Sequence, residues 1–433
     1  MPARTTALRA LIACRTSGAW SDAVLKDYMD AANLSQKDAG LCTTLCCGVL
    51  QNQALLDYYI DKFLTGRKHL QPALRDILRL AVYQILFLDR IPDSAAVNEA
   101  VKQAKKQFSQ REAGLVNGIL RNMLRQKETL TPPRDYHIRY SHPSDLVNLM
   151  KGSVGKKLEA ILQADNAQPE TTVQRNCLKC SPEELTVQWE SEGVGFTPHP
   201  WLKDCWTIKN TGNIAKLPSF QNGLFQVQDA AARLSVDVLA PKPGMAVLDL
   251  CSAPGGKSMA AAMHMKNEGR ILSCDVHGGK LSQIEQAAER LGVSIVTTME
   301  NDGAVYKPEF EQALDAVIAD VPCSGLGVIR KKPDIRYKNL KDMEALPSHQ
   351  LEILRQAAKY VKKGGSLLYS TCTILKRENE DVVKAFLGEN DEFSLEVLRL
   401  PEPLNEQETG MLTLYQGIHD CDGFFLCLMR KKA

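Results

Sequence analysis

The chain has 433 residues, 44% of them hydrophobic and 24% charged, the balance of a folded globular protein and not of a disordered or fibrous one. That length exceeds one ordinary core and predicts two or three domains, while no apolar run approaches the roughly 20 residues needed to span a bilayer. The net charge of +2 hides an asymmetry: residues 1–140 hold 20 Lys and Arg against 13 Asp and Glu, the remainder 33 against 38. A basic amino-terminal part beside a slightly acidic carboxy-terminal part fits a nucleic-acid-docking domain joined to an enzyme, although solvated helix faces are often rich in Lys and Arg as well.

The first twenty residues carry Arg4, Arg9 and Arg15 and no acid, which imitates a transit peptide. An amphipathic first helix with Leu8, Leu11 and Ile12 as its apolar stripe is the simpler reading. The 13 cysteines are odd in number and scattered, which argues against a disulfide framework and for a reducing cytoplasm. Cys177-x-x-Cys180 is the one pair at metal spacing, and no second CxxC or His pair completes four ligands, so no metal is expected. Cys42, Cys46 and Cys47 read as small core residues.

Apolar residues recur at helical spacing in Leu41–Ile60, Leu74–Leu88, Val97–Phe108 and Gly114–Leu124. Gly66, Pro72 and Ile91-Pro92-Asp93-Ser94 separate these stretches, with Asp93 or Ser94 as a cap. Residues 1–130 are thus expected to be an all-α bundle without a catalytic cluster. Thr131-Pro132-Pro133 marks a linker. Residues 140–225 alternate short strands and helices, a small α+β subdomain: Thr171–Asn176 a strand, Pro182–Glu192 a helix, Trp206–Lys209 a strand. From 226 to 433 the pattern is α/β. Ala246–Leu250, Ile271–Cys274, Ile295–Thr297, Ala316–Ala319 and Ser366–Ser370 are short strands apolar on both faces, most followed by a helix, which indicates a doubly wound, Rossmann-like parallel sheet.

Strand Ala246–Leu250 runs into Cys251-Ser252-Ala253-Pro254-Gly255-Gly256-Lys257 and then a helix. Ligands of such sheets bind at the carboxyl ends of strands, where small residues let backbone approach and a helix start offers free N–H groups. The loop is neither GxGxxG nor a GxxxxGK[ST] phosphate loop, which points away from a nicotinamide dehydrogenase. Asp275 ends the next strand, where an acid can accept both hydroxyls of a ribose. Asp302 follows the third strand, suitably placed for an adenine amino group. Each acid alone could instead cap a helix.

Strand Ala316–Ala319 ends in Asp320-Val-Pro-Cys323, and strand Ser366–Ser370 in Thr371-Cys372-Thr373. In a parallel sheet both ends open on the cofactor's edge, so neighbouring strands would face both thiols toward it. Such a pair suits methylation of carbon 5 of cytosine. A thiolate adding at carbon 6 makes an enamine whose carbon 5 attacks a methyl donor, and a base then removes the carbon-5 proton. An acid such as Asp320 can bond the ring nitrogen and amino group. Spacing alone leaves open which cysteine attacks. Phe424-Phe425, in a last strand running to Met429, could stack on RNA or pack in the core. Arg330–Arg336 reads as a phosphate contact or a solvated loop.

Asp249-Leu-Cys-Ser-Ala-Pro-Gly-Gly-Lys257, together with the two cysteine motifs, resembles the RNA cytosine-5 methyltransferases. The resemblance implies a donor, S-adenosyl-L-methionine, held by Cys251, Ser252, Ala253, Pro254, Gly255, Gly256, Lys257, Asp275, Asp302 and Asp320. It also implies Cys372 as nucleophile and Cys323 as the residue that resolves the adduct, beside Asp320, the catalytic acid that the chemistry above suggests. Ile91-Pro92 and Val116-Asn-Gly-Ile-Leu-Arg121 resemble a NusB-type RNA-binding bundle. His142-Pro143-Ser144, Arg175-Asn176 and Gln228-Asp229 resemble points of the connecting subdomain. Together they are similar to the bacterial 16S rRNA (cytosine-5) methyltransferase B family, and imply 16S rRNA before complete subunit assembly as substrate of a cytoplasmic monomer. Ser252, where alanine is common, and Asn301, where glycine is common, depart from the pattern. The competing readings are a tRNA cytosine-5 methyltransferase and a non-catalytic RNA-binding assembly factor.

Overall fold

The computed structural model describes residues 3–17, 21–64, 69–405 and 408–433; Gly66 lies outside them. The chain forms two compact units: Met1–Lys151 with Leu162–Ala167 and Ile329–Lys338, and Gly152–Ile161 with Gln168–Val328 and Asn339–Ala433.

The first unit is helical, with main helices Ala3–Ser17, Ser21–Ala32, Gln36–Gln51, Gln53–Lys62, Pro72–Phe87, Asp93–Gln107 and Gln110–Arg125. Their apolar stripes meet in one core, in which Leu8, Leu45, Leu56, Ile60, Leu78 and Leu120 are fully buried. The stretch expected as one helix over Leu41–Ile60 is two, bent by 77°. Asn52 leaves helical geometry at the break, its side chain bonding Gly48 O at 2.9 Å, and Ser141 Oγ accepts the freed Leu55 N–H at 3.0 Å. The next junction also differs from expectation: Pro92 occupies the capping position and Asp93 is the first helical residue, where its charge favours the helix start.

Part of the basic charge of this unit is used internally. Arg79 pairs with Asp57 at 2.6 Å and Asp76 at 2.8 Å, Arg15 with Asp76 at 3.2 Å, and Arg75 with Asp61 at 2.8 Å. At Arg336 the structure departs from both readings of its loop, since this side chain is 1% exposed and bonded within the protein, whereas Lys332 is exposed. The Arg336 guanidinium donates to Gln51 O at 2.8 Å, Asn166 Oδ1 at 2.9 Å and Asp165 O at 3.2 Å, with longer bonds to Tyr140 O and Ser141 O. Burial pushes it below its ordinary range. Tyr337 OH donates to Leu50 O at 2.8 Å beside it.

In the second unit, strands β1 (Thr171–Arg175), β2 (Gly195–Pro198), β3 (Cys205–Lys209) and β4 (Phe225–Val227) form an antiparallel sheet in the order β2-β3-β1-β4. Helix Pro182–Ser191 supplies Leu185 and Trp189 to its core, against Trp206 and Phe225. Strands β5 (Ala246–Asp249), β6 (Arg270–Asp275), β7 (Val296–Glu300), β8 (Leu314–Asp320), β9 (Val361–Thr371), β10 (Phe393–Leu395), β11 (Met411–Leu414) and β12 (Phe424–Lys431) form a second sheet in the order β10-β12-β9-β8-β5-β6-β7, with β11 beside β12.

The run β7 to β9 is parallel, and β12 is antiparallel to β9. Side chains alternate between two cores. Val247, Ile318 and Leu368 face helices Ala230–Leu239 and Gly256–His264, while Leu248, Val317 and Leu367 face helix Leu346–Tyr360. Burial on both faces is what the apolar strand runs require. The chain winds outward from β5 in both directions, so the order reverses there, and the crevice of such a sheet opens at the carboxyl ends of β5 and β8. Among the described residues no single helix is long and apolar enough to cross a membrane.

Removing Arg336 strands several buried carbonyl groups at once, and a lysine cannot reach them all. Arg336→Ala is expected to lower stability by about 3 kcal/mol or more in equilibrium denaturation. Arg336→Lys should recover less than half of that loss; a neutral effect of either change would show that the guanidinium is not an anchor.

Candidate active site

The carboxyl edge of the second sheet gathers the residues singled out above. β5 ends at Asp249, and the following turn is tied to β6: Ser252 donates from N at 2.7 Å and from Oγ at 2.9 Å to Cys274 O. The serine that departs from the family pattern therefore anchors the loop. Ala253 N donates to Asp275 Oδ2 at 3.2 Å, and His277 N to Oδ1 at 3.0 Å. Asp275 thus holds the turn while each oxygen keeps a further lone pair. Gly255 has φ of +96°, the left-handed region that a side chain disfavours, and helix Gly256–His264 starts directly after it.

Asp302 is exposed and its Oδ1 accepts Ala304 N at 2.9 Å, a local turn bond. Its neighbour Asn301 is buried with both amide atoms unpartnered. An orphaned buried carboxamide is costly unless a ligand completes it. Cys251 lies in the loop with its thiol pushed well up by burial, so it is a packing group there.

Asp320 ends β8 opposite Ser370 of β9 in the parallel register. Its Oδ2 accepts from Lys257 Nζ at 2.6 Å and its Oδ1 from Ser370 Oγ at 2.7 Å. Lys257 therefore works through its ammonium group, not merely as part of a backbone turn. The same ammonium lies 5.0 Å from the centre of the Phe424 ring. Phe424 and Phe425 are buried, the latter edge-on to Tyr369, which places this aromatic pair in the core and not on an RNA-facing surface.

Cys323 and Cys372, on neighbouring strand ends, have sulfurs 3.1 Å apart. The Cys323 thiol is held well above its ordinary range, first by the hydrogen bond shared with Cys372 and then by burial. The two sulfurs are close enough to share one proton, and either can be its donor. The loop after Cys323 is closed by backbone contact: Gly327 N donates to Cys372 O at 3.0 Å and Gly423 N to Gly327 O at 2.9 Å. A Cβ on Gly327 would lie 1.8 Å from Gly423 O, so only glycine fits.

Two buried groups escaped assignment from sequence. Ser370 was legible only once β8 and β9 were paired. Asp249, the first residue of the loop motif, is fully buried and accepts from Ser258 Oγ at 2.7 Å, with Oδ1 unpartnered. Burial raises its carboxyl to about 7. Cys177 and Cys180 bond backbone carbonyls, all 13 cysteines are unbridged, and the described residues hold no cluster of three metal ligands.

The geometry has counterparts in known proteins. Residues 236–430 match the family model described as 16S rRNA methyltransferase RsmB/F, residues 1–125 the NusB family, and residues 142–215 the ferredoxin-like domain of RsmF/B-like methyltransferases. The probable ribosomal RNA small subunit methyltransferase B of Bacillus subtilis is 38% identical over 99% of both chains. Ribosomal RNA small subunit methyltransferase B of Citrobacter koseri is 33% identical over 92% of each. The crystal structure of PH0851 covers 100% of this chain and 99% of its own, at 28% identity and a TM-score of 0.79. The fold is accordingly a NusB-like helical domain followed by a Rossmann-like methyltransferase domain with a small α+β subdomain between them.

The raised Asp249 carboxyl has a consequence for stability. Its unfolded form ionises near 3.8 and its folded form near 7, so its contribution is fully present below the lower value and is lost as pH rises through the upper one. Asp249→Asn keeps the acceptor for Ser258 but cannot ionise. Between about pH 5 and pH 8 its Tm is expected to fall less than that of the unaltered protein; parallel curves would contradict the assignment.

Proposed function

The chain belongs to the 16S rRNA methyltransferase RsmB/F family and is an RNA methyltransferase, and we propose that it methylates carbon 5 of a cytosine through a covalent bond from Cys372 to carbon 6. The observation that carries this reading is the pair of thiols 3.1 Å apart beside an acid, Asp320, that is held by Lys257 at the mouth of the loop Cys251–Lys257.

We assign the donor as S-adenosyl-L-methionine, which supplies a methyl group on a positively charged sulfur. The residues fit it. Asp275 offers ribose an acceptor, the turn through Gly255 and Gly256 opens onto the helix start, and Asn301 presents an unpartnered amide beside Asp302 where an adenine edge needs partners. Asp249, largely neutral below about 7, adds little negative charge beneath the loop.

Cys372 adds its thiolate to carbon 6, and the electron pair moves to carbon 5, which takes the methyl group. Asp320, oriented by Lys257 and Ser370, accepts from the amino group and, once the ring nitrogen carries a proton in the adduct, from that nitrogen, which stabilises the adduct. Alkylation of Cys372 removes the leading cause of the raised Cys323 thiol, which then loses its proton to solvent more readily. As a thiolate Cys323 takes the carbon-5 proton, the double bond re-forms, and Cys372 leaves. Because each step needs the base out of its stack, the target lies in a loop or is flipped out. The likeness to small-subunit ribosomal RNA methyltransferases and the NusB match favour 16S rRNA as substrate, and the need for an accessible base favours rRNA before full subunit assembly.

Cys372→Ala is expected to abolish methylation, and Cys323→Ala to accumulate protein bound covalently to RNA, read as a complex that survives denaturing electrophoresis. A trapped complex with the Cys372 variant would reverse the assignment. In the unaltered protein the adduct should decay faster as pH rises, by up to about tenfold per unit. Bisulfite mapping of cellular RNA with and without the protein is expected to show one 5-methylcytosine lost from 16S rRNA; loss from tRNA would move the substrate, and no loss would refute the activity.

A further inference from the structure

Both cysteines sit on loops, and a loop end does not by itself hold a sulfur to a few tenths of an ångström. What holds them is a pair of consecutive residues that the catalytic reading does not use. Glu378 and Asn379 follow β9 by a short turn and are both fully buried.

Asn379 brackets Cys372. Its Oδ1 accepts from Thr371 Oγ1 at 2.6 Å and its Nδ2 donates to Thr373 O at 3.0 Å, one bond on each side of the cysteine. Glu378 does the same for Cys323 with the help of Gln350. Glu378 Oε2 accepts from Ser324 N at 2.8 Å, and Gln350 Nε2 donates to that same oxygen at 3.0 Å and to Pro322 O at 2.9 Å. Again the residues before and after the cysteine are both held. A direct bond between Ser324 Oγ and Thr373 Oγ1, at 2.7 Å, closes the two brackets on each other, and Tyr369 OH fixes the turn by donating to Glu378 O at 2.6 Å.

We infer that Glu378 and Asn379 are positioning residues that set the distance between the two thiols, Asn379 through the nucleophile's loop and Glu378 through the base's loop. The inference rests on the roles given above to Cys372 and Cys323, and it assigns each clamp to a different half of the reaction. Loosening Asn379 slows formation of the adduct. Loosening Glu378 leaves formation intact and slows its breakdown. Glu378 holds the loop as an acceptor, while its charge also contributes to raising the Cys323 thiol. A glutamine can present one oxygen to both Ser324 N and Gln350 Nε2, with its amino group at the position of Oε1, which has no partner. An aspartate in place of Asn379 cannot serve, because it sets an oxygen against Thr373 O.

The test uses the full chain, a 16S rRNA transcript and S-adenosyl-L-methionine. It reads kcat, KM for RNA, and the fraction of protein in the denaturation-resistant complex. Asn379→Ala and Asn379→Asp are expected to lower kcat on the order of 100-fold, the scale of a misplacement near 1 Å, with KM for RNA little changed and less complex. Glu378→Ala is expected to raise the trapped fraction as Cys323→Ala does, and Glu378→Gln to restore it to the level of the unaltered protein. If the alanine variants fail to fold, as their Tm would show, Asn379→Asp and Glu378→Gln carry the test alone: the first loses adduct formation and the second keeps turnover. Equal loss of kcat and complex in both Glu378 variants overturns the inference. If Cys323→Ala traps the complex and Glu378→Ala, folded, does not, the clamp fails while the reading of the cysteines stands. If Cys323→Ala traps nothing, that reading fails first.

Discussion

Parallel pairing of β8 with β9 sets Asp320 opposite Ser370, and the site depends on that register. A shift by one residue would turn every side chain of one strand to the other face, separating Asp320 from Ser370 and removing the two cysteines from a common edge. The register is enforced from below. Val317 and Leu367 must enter one apolar core while Ile318 and Leu368 enter the other, and neither set tolerates exposure. Hydrophobic alternation deep in the sheet thus fixes the register that brings the two cysteine loops to one rim.

From that edge the remaining contacts fall into place. Lys257 reaches from the helix after β5 to Asp320 after β8, so the turn proposed to hold the methyl donor and the acid proposed to hold the base share one ion pair. With the lysine about nine-tenths buried and the acid side chain 30% exposed, the pair keeps a wet side toward incoming substrate. The loop bearing Cys323 is closed against β12 by the contact of Gly327 with Gly423. A strand that runs antiparallel to its neighbour therefore supplies one wall, and Asp229 ties the start of that strand to helix Ala230–Leu239 by accepting Asp422 N.

The sequence disclosed what repeats or what is chemically unusual. The apolar strands, the small-residue turn after β5 and the acids at strand ends were all legible, because each is a local pattern with a local cause. Even the neighbouring placement of Cys323 and Cys372 followed from strand ends in a parallel sheet. What escaped were residues whose role is made by partners far along the chain. Arg336 reads as part of a basic loop, yet oxygens of Gln51, Asp165 and Asn166 enclose it. Asn52 sits in an unbroken helical pattern, and its break needs Ser141 to take an amide. Glu378 and Asn379 carry no periodicity at all. Conversely, the Phe424-Phe425 pair looked available for stacking only because a sequence does not show which faces a last strand covers.

The central claim is that Cys372 and no other residue forms the bond to carbon 6. RNA containing 5-fluorocytosine tests it in the unaltered protein, because a fluorine at carbon 5 cannot leave as a proton and the adduct persists. After nuclease and protease digestion, mass spectrometry should find the modified nucleotide on the peptide containing Cys372. The nucleotide on Cys323, or an intact protein with no adduct beside methylated normal RNA, would contradict it.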